Sequence, residues 1–269
     1  MISSDLLLRL VASFAAGSAV VALVTTLADI YGKGPAGFLG GLPTAGGVSL
    51  ISIGLAQSTA AAVQATTLFP LGFSSTFVFL LFYAFPTGLR FGIRMSMALA
   101  LWFPASVAIA LWGPNDFALS VSASFVIALG VLFARRRIVT RETESVAVRP
   151  NAKLTILRGV LGGFVVSSVV IISVVSGPVA GGVFAAAPAI WSSSLYVTNR
   201  AKGMEFSRSL TRTFMQTGIL TAIPYAIAAR YFFSVSGIWL GTLFAYIAIS
   251  PLAFLAWELT NKRRNDTAT

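Results

Sequence analysis

The stretch Lys33–Ser58, KGPAGFLGGLPTAGGVSLISIGLAQS, is long enough to cross a bilayer as a helix. Yet it carries Gly40, Gly41, Pro43, Gly46 and Gly47 where a stable helix carries Ala and Leu. In lipid, an interruption at mid-depth persists only where the freed backbone groups are satisfied by neighbouring protein or line a watery cavity. Gly40 to Gly47 is therefore the first candidate for a site. The competing reading is that these glycines let helices approach closely, as small residues do in membrane bundles.

The rest of the chain supplies the membrane context. Of 269 residues, 57% are hydrophobic and 10% charged, and mean hydropathy is +0.87. Polar surface is too scarce for a soluble domain of this size, so the fold class predicted is all-α, a polytopic transmembrane helix bundle. Cysteine and histidine are both absent, which excludes disulfides, thiolate chemistry, His-ligated metals and imidazole acid–base catalysis. No enzyme, cofactor or metal is expected. The first apolar run, Leu6 to Ala28, has no separate basic region before it and no small-residue cleavage site after it, and reads as a retained span.

The net charge of +11 does not point to nucleic acid, because the basic residues sit between apolar runs. Short cytoplasmic loops are enriched in Lys and Arg. The partners expected are the lipid bilayer and anionic headgroups at its cytoplasmic face.

Nine apolar runs are predicted as spans: 6–28, 36–58, 60–85, 91–112, 117–134, 154–175, 177–198, 209–230 and 235–257. If all nine cross, 17 of the 19 basic residues fall on one side, which places that side and the C-terminus in the cytoplasm of a plasma or inner membrane. An eight-span arrangement with 60–85 re-entrant gives the same count by exchanging Lys33 for Arg9. Nine is preferred, because 60–85 holds no charge.

The halves repeat. Pro43, Ser49 and Leu50 match Pro188, Ser194 and Leu195 at an offset of 145, and Gly92-Ile93…Trp112 matches Gly237-Ile238…Trp257 at the same offset. Leu8-Arg9-Leu10 and Leu157-Arg158-Gly159 are expected to open equivalent first helices. The domains expected are a first transmembrane repeat (1–112), a connector span (113–134), a basic cytoplasmic linker (135–153), a second repeat (154–259) and a basic tail (260–269). A 4+1+4 arrangement reverses the second repeat relative to the first. Many secondary transporters use this inverted topology, with substrate held near mid-bilayer between discontinuous helices.

The second half resembles the GlpM-like family of small four-span membrane proteins. The resemblance runs through GPVAGGVFAAAPAIWSSSLYVTNRAKG, SRSLTRTFMQTGILTAIPYAIAARYF and GTLFAYIAISPLAFLAWEL, over roughly 154–259 and more faintly over 6–112. It departs at Pro188, where such sequences tend to have Phe-Pro, and at Asn199-Arg200, which replaces a polar turn that often contains His. The resemblance implies a fold and carries no activity.

All eight acidic residues lie at span ends, in loops or in the tail, which disfavours a proton-coupled cation exporter. The polar groups left at depth are neutral. With the interrupted helices they make a candidate substrate site of Gly40, Gly41, Pro43, Thr44, Ser49, Gln57 and Gln64 in the first half and Pro188, Ser192, Ser194 and Gln216 in the second. Membrane serines also commonly bond back to their own helix, which is the structural alternative. Arg90 with Arg94 and Arg208 with Arg212 are spaced four apart, on one helix face each, and are candidate contacts for an anion or phosphate. Topology signalling explains them equally well. The function expected is a secondary transporter or flippase for a small or lipid-linked anionic substrate; the alternative is a non-transporting component of a membrane complex.

Overall fold

The structure, a computed structural model, describes residues 4–31, 42–136, 138 and 152–266. Gly40, Gly41 and most of the 135–153 linker lie outside them. The elements in chain order are α1 (Ser4–Tyr31), α2 (Thr44–Ala56), α3 (Thr59–Ala65), α4 (Phe69–Ala84), α5 (Phe91–Trp112), α6 (Phe117–Arg135), α7 (Ala152–Ser176), α8 (Pro178–Ala185), α9 (Ala189–Lys202) and α10 (Met204–Asp266). Among the described residues, five helices are long and apolar enough to cross a bilayer, or six if α3 and α4, bent by 45°, form one span. Large apolar side chains cover their outer faces; Trp112 and Val175 are 80% and 78% exposed. The protein is built as an integral membrane protein.

The second and seventh of the nine predicted spans are not simple helices. α2 starts only after Pro43, and its 13 residues are too few to cross a hydrocarbon core of about 30 Å at 1.5 Å per residue. The run 177–198 is divided into α8 and α9 around Ala186–Pro188. The last two predicted spans are the arms of α10, 204–236 and 238–266. Phe232 stacks near Phe244 (5.6 Å) and Tyr225 near Tyr246 (5.0 Å), so the arms fold back on each other at Gly237. Helix also continues to Asp266, into the stretch expected to be a tail.

Two antiparallel packings build the interior. Along α1 and α7, Leu10 meets Ser167, Phe14 meets Gly163, Ala22 meets Gly159 and Thr26 meets Thr155, so one index rises as the other falls. The tightest contacts are reciprocal: a Cβ on Gly17 would strike Val166, and one on Gly162 would strike Val21. The two glycines, Gly17 and Gly162, and the two valines, Val21 and Val166, are each 145 residues apart. At that offset Arg9 corresponds to Leu154 and Arg158 to Ser13, not to each other.

The second packing lays α3 and α4 against the first arm of α10. Arg230 donates to the Val63 carbonyl (3.2 Å) at one end, and Arg208 to the Ala84 carbonyl (2.8 and 3.0 Å) at the other. Along α10 the two anchors, Arg208 and Arg230, lie 22 residues apart, about 33 Å at 1.5 Å per residue, a hydrocarbon thickness. Between these ends lies the aromatic core of Phe69, Phe73, Phe77, Trp191, Phe214 and Tyr225.

The fold-back at Gly237 uses φ 73°, ψ −178°, a region open essentially to glycine. Gly237→Ala is expected to cost about 1–3 kcal/mol, whereas Gly130→Ala, mid-helix with open space around it, is expected to be neutral or slightly stabilising. Thermal unfolding of the two variants in the same detergent checks the contrast.

Candidate functional site

Pro43 and Pro188 occupy the same local structure. Pro43 has φ −76°, ψ 54° and Pro188 has φ −77°, ψ 37°. In each case the carbonyl before the proline accepts from the N–H after it: Leu42 from Thr44 and Ala187 from Ala189, both at 2.8 Å. These are inverse γ-turns. Proline fixes φ and has no N–H to give, so each turn ends one segment and starts a helix, α2 or α9, whose first turn has no capping side chain.

The two elbows face one cavity of about 30 Å³. Twelve of its fifteen lining residues form pairs 145 apart: Leu42 and Ala187, Pro43 and Pro188, Ala45 and Ile190, Gly46 and Trp191, Phe73 and Gly218, Thr76 and Thr221. Large and small residues exchange places between the halves. Gly46 admits the ring of Phe69, and Gly218 admits Trp191. Trp191 stacks on Phe214 (5.8 Å, 9° between planes) and on Phe77 (6.2 Å, 25°), closing one side.

The polar groups of the cavity are hydroxyls and backbone. Thr76 Oγ1 donates to the Ala186 carbonyl (2.7 Å) and accepts from Trp102 Nε1 (3.1 Å), tying α4 and α5 to the elbow. Thr44 Oγ1 is buried at the cavity wall and has no hydrogen-bond partner among the described residues. One turn along α2, Gly47 lies under the hydroxyls of Tyr246 and Tyr225; Tyr246 reaches the Pro43 carbonyl (3.4 Å), while the buried Tyr225 hydroxyl has no partner there. No acidic residue lines the cavity. Two helix N-termini with their positive dipole ends, a spare hydroxyl and no carboxylate make a small site suited to negative charge.

Of the residues expected at the site, Pro43, Thr44 and Pro188 meet here, and Gly40 and Gly41 lie outside the described residues. Ser192 lines an adjoining groove. Ser49 is fully buried without a partner. Gln57, the C-cap of α2, is exposed and donates to Ser173 (2.6 Å), and Gln64 is exposed on α3. Ser194 and Gln216 are half-buried and line neither cavity. Gly46 and Gly47 lie within α2, and they serve close packing; the interruption is at Pro43.

The arginines are placed differently from the two i,i+4 pairs. Arg94 and Arg208, from separate helices, are buried against the C-terminal end of α4: Arg94 donates to the carbonyls of Tyr83 (2.7 Å) and Phe85, and Arg208 to that of Ala84 while pairing with Glu205 (2.8 Å). Arg90 is exposed, and the Arg212 carbonyl accepts from Arg135 (3.3 Å). Arg9 reaches the last carbonyls of α2, Leu55 and Ala56. Arg230, which the sequence reading passed over, takes the Val63 carbonyl and the hydroxyls of Thr66 and Thr67 at the α3–α4 bend, with its guanidinium over Phe117 (4.6 Å). Thr76, Thr221 and Trp191 were also passed over, although the offset of 145 pairs both threonines.

No family model, curated protein or solved structure matches the chain. The geometry alone carries the functional reading.

Thr76→Val removes one hydroxyl and leaves both the Ala186 carbonyl and the Trp102 indole N–H unpaired in the interior. It is expected to lower stability by about 1–3 kcal/mol, and Thr76→Ser to recover most of that. The fall in unfolding midpoint of the purified protein measures it.

Proposed function

We propose that this protein is a secondary transporter for a small anion, bound at the central cavity between two inverted repeats. The observation that carries the reading is the pairing of the cavity lining at one offset, with both elbows presenting a helix N-terminus to the same space. The reciprocal Gly17–Val166 and Gly162–Val21 contacts, in an antiparallel helix pair, support inversion of the second half. The 33 Å course of α3 and α4 along α10 supports a full crossing there, and so supports nine crossings over eight. The four-span unit of the GlpM-like resemblance coincides with the repeated unit and supports a duplicated form.

A cavity of about 30 Å³ favours a small substrate over a lipid-linked one as the central occupant. Arg94, Arg208, Arg135 and Arg212 gather at one end of the bundle. Under the positive-inside rule that end is cytoplasmic.

Purified protein in liposomes is expected to pass small inorganic anions down a gradient, read by an anion-selective electrode. Thr44→Val is expected to reduce the flux about tenfold, the scale of losing one hydrogen bond to a charged group. Trp191→Ala, which removes the stack closing one side, is expected to raise it. Absence of flux for every anion tested, or flux indifferent to both substitutions in folded protein, rejects the reading.

A further inference from the structure

Beside the central cavity lies a second, larger hollow of about 460 Å³, walled by α5, α7 and α9. One wall is the series Phe91, Met95, Leu99, Trp102 on α5, and the facing wall is Leu154, Leu157, Leu161, Val165 on α7, each stepping down its helix by three or four residues. α9 forms the floor and runs the other way, with Tyr196 and Val197 at the shallow end and Ala187 to Ala189 at the deep end. From residue 91 to 102 the groove descends about 16 Å at 1.5 Å per residue, half of a hydrocarbon core of about 30 Å. It begins where α5 and α7 begin and ends at the Pro188 elbow, sharing Ala187 and Pro188 with the central cavity.

The groove opens outward, because Leu99, Leu157 and Leu161 are 36%, 44% and 44% exposed. In a membrane such a hollow faces acyl chains, and nothing in its lining invites water except Ser192 and Ser193 at depth and Arg158 near the mouth. An apolar groove gains little over bulk lipid from hydrophobicity alone, since lipid tails are as apolar as Leu. Selectivity has to come from shape and charge. Among the described residues the mouth supplies positive charge: Arg158, itself largely buried, lines the groove, and the exposed Arg90 and Lys153 each precede a lining residue, Phe91 and Leu154. The other elbow shows what an occupied space looks like. There Gly47, the counterpart of Ser192, is covered by the protein's own Tyr246, whereas Ser192 faces the open groove and its buried hydroxyl has no partner among the described residues.

We propose that this groove is a specific site for one anionic phospholipid, with an acyl chain lying between α5 and α7 down to the Pro188 elbow and the phosphate at the mouth beside Arg158, Arg90 and Lys153. The site is independent of the transport reading.

Native mass spectrometry of the detergent-purified full chain, titrated with phosphatidylglycerol or phosphatidylcholine of matched chains, tests it. The result expected is one tightly held phosphatidylglycerol per chain, at concentrations where phosphatidylcholine is lost. Arg90→Gln and Lys153→Gln, both at exposed positions, are expected to weaken retention by about fivefold each. Leu161→Trp, and separately Leu99→Trp on the opposite wall, are expected to abolish retention by filling the groove while leaving the lipid-free unfolding midpoint unchanged. Equal retention of the two lipids, or full retention of phosphatidylglycerol by a folded groove-filling variant, overturns the proposal.

Discussion

A helix interrupted in lipid leaves carbonyls and amides that water cannot reach, and the arrangement of this protein follows from how those groups are satisfied. At the carbonyl ends the answer is arginine. Arg9 serves the end of α2, Arg230 the bend after α3, and Arg94 with Arg208 the end of α4. A guanidinium answers both needs of such an end, donating several N–H groups and opposing the negative pole of the helix dipole. The amide ends of α2 and α9 receive no side-chain cap. Every arginine just named is thereby committed to the protein's own backbone, and the uncapped helix N-termini sit at the two proline elbows.

The elbows are held where they are by the two antiparallel packings. Small residues let α1 and α7 approach until Val166 rests on Gly17 and Val21 on Gly162, and the aromatic core fixes α4 against α10. α8 crosses α3 so closely that Gly182 touches the Ala65 carbonyl, a contact no side chain would permit. Lipid offers no hydrophobic drive to bring helices together, so this close fit is what the bundle has in its place. The cavity is what remains where two pairs of packed helices cannot fill the space between two interrupted ones.

How much of this was legible in the sequence depended on the scale of the signal. The apolar runs show plainly, and Pro43 and Pro188 mark the interruptions because proline in a helix interior has an unavoidable local cost. Pro43 with Pro188 and Ser49 with Ser194 stand 145 residues apart whereas Arg9 and Arg158 stand 149 apart, and a Leu-Arg dipeptide in apolar sequence is too short to fix a register. Gly46 and Gly47 looked like part of the break, since sequence does not distinguish a glycine that interrupts a helix from one that lets a ring approach it. The arginines were read by their neighbours along the chain, while the carbonyls they bind lie 9 to 167 residues away. Gln57 and Gln64 looked deep because they lie inside apolar runs; the turn at Ser58, whose hydroxyl accepts from Ala61, brings both to the surface.

The exchange of sizes between the halves bears on how the cavity can open. Lining residues 145 apart differ in size, Gly46 against Trp191 and Phe73 against Gly218. Trp191, stacked on Phe214 and Phe77, closes one side, and the tyrosine pair over Gly47 lies outside the cavity lining, against the start of α2. Any rearrangement that opens one side has to be taken up at the elbows. The long helices α1 and α7 are locked by glycine-mediated contact and the C-terminal ends of α2, α3 and α4 are held by arginines, whereas each elbow carries single bonds to its neighbours, such as Thr76 to Ala186 and Tyr246 to Pro43. A γ-turn has one internal hydrogen bond to break, against the continuous ladder of a helix. The least costly motion available to this fold is thus a change at Pro43 or Pro188 that moves the start of α2 or α9 and leaves the bundle around it in place.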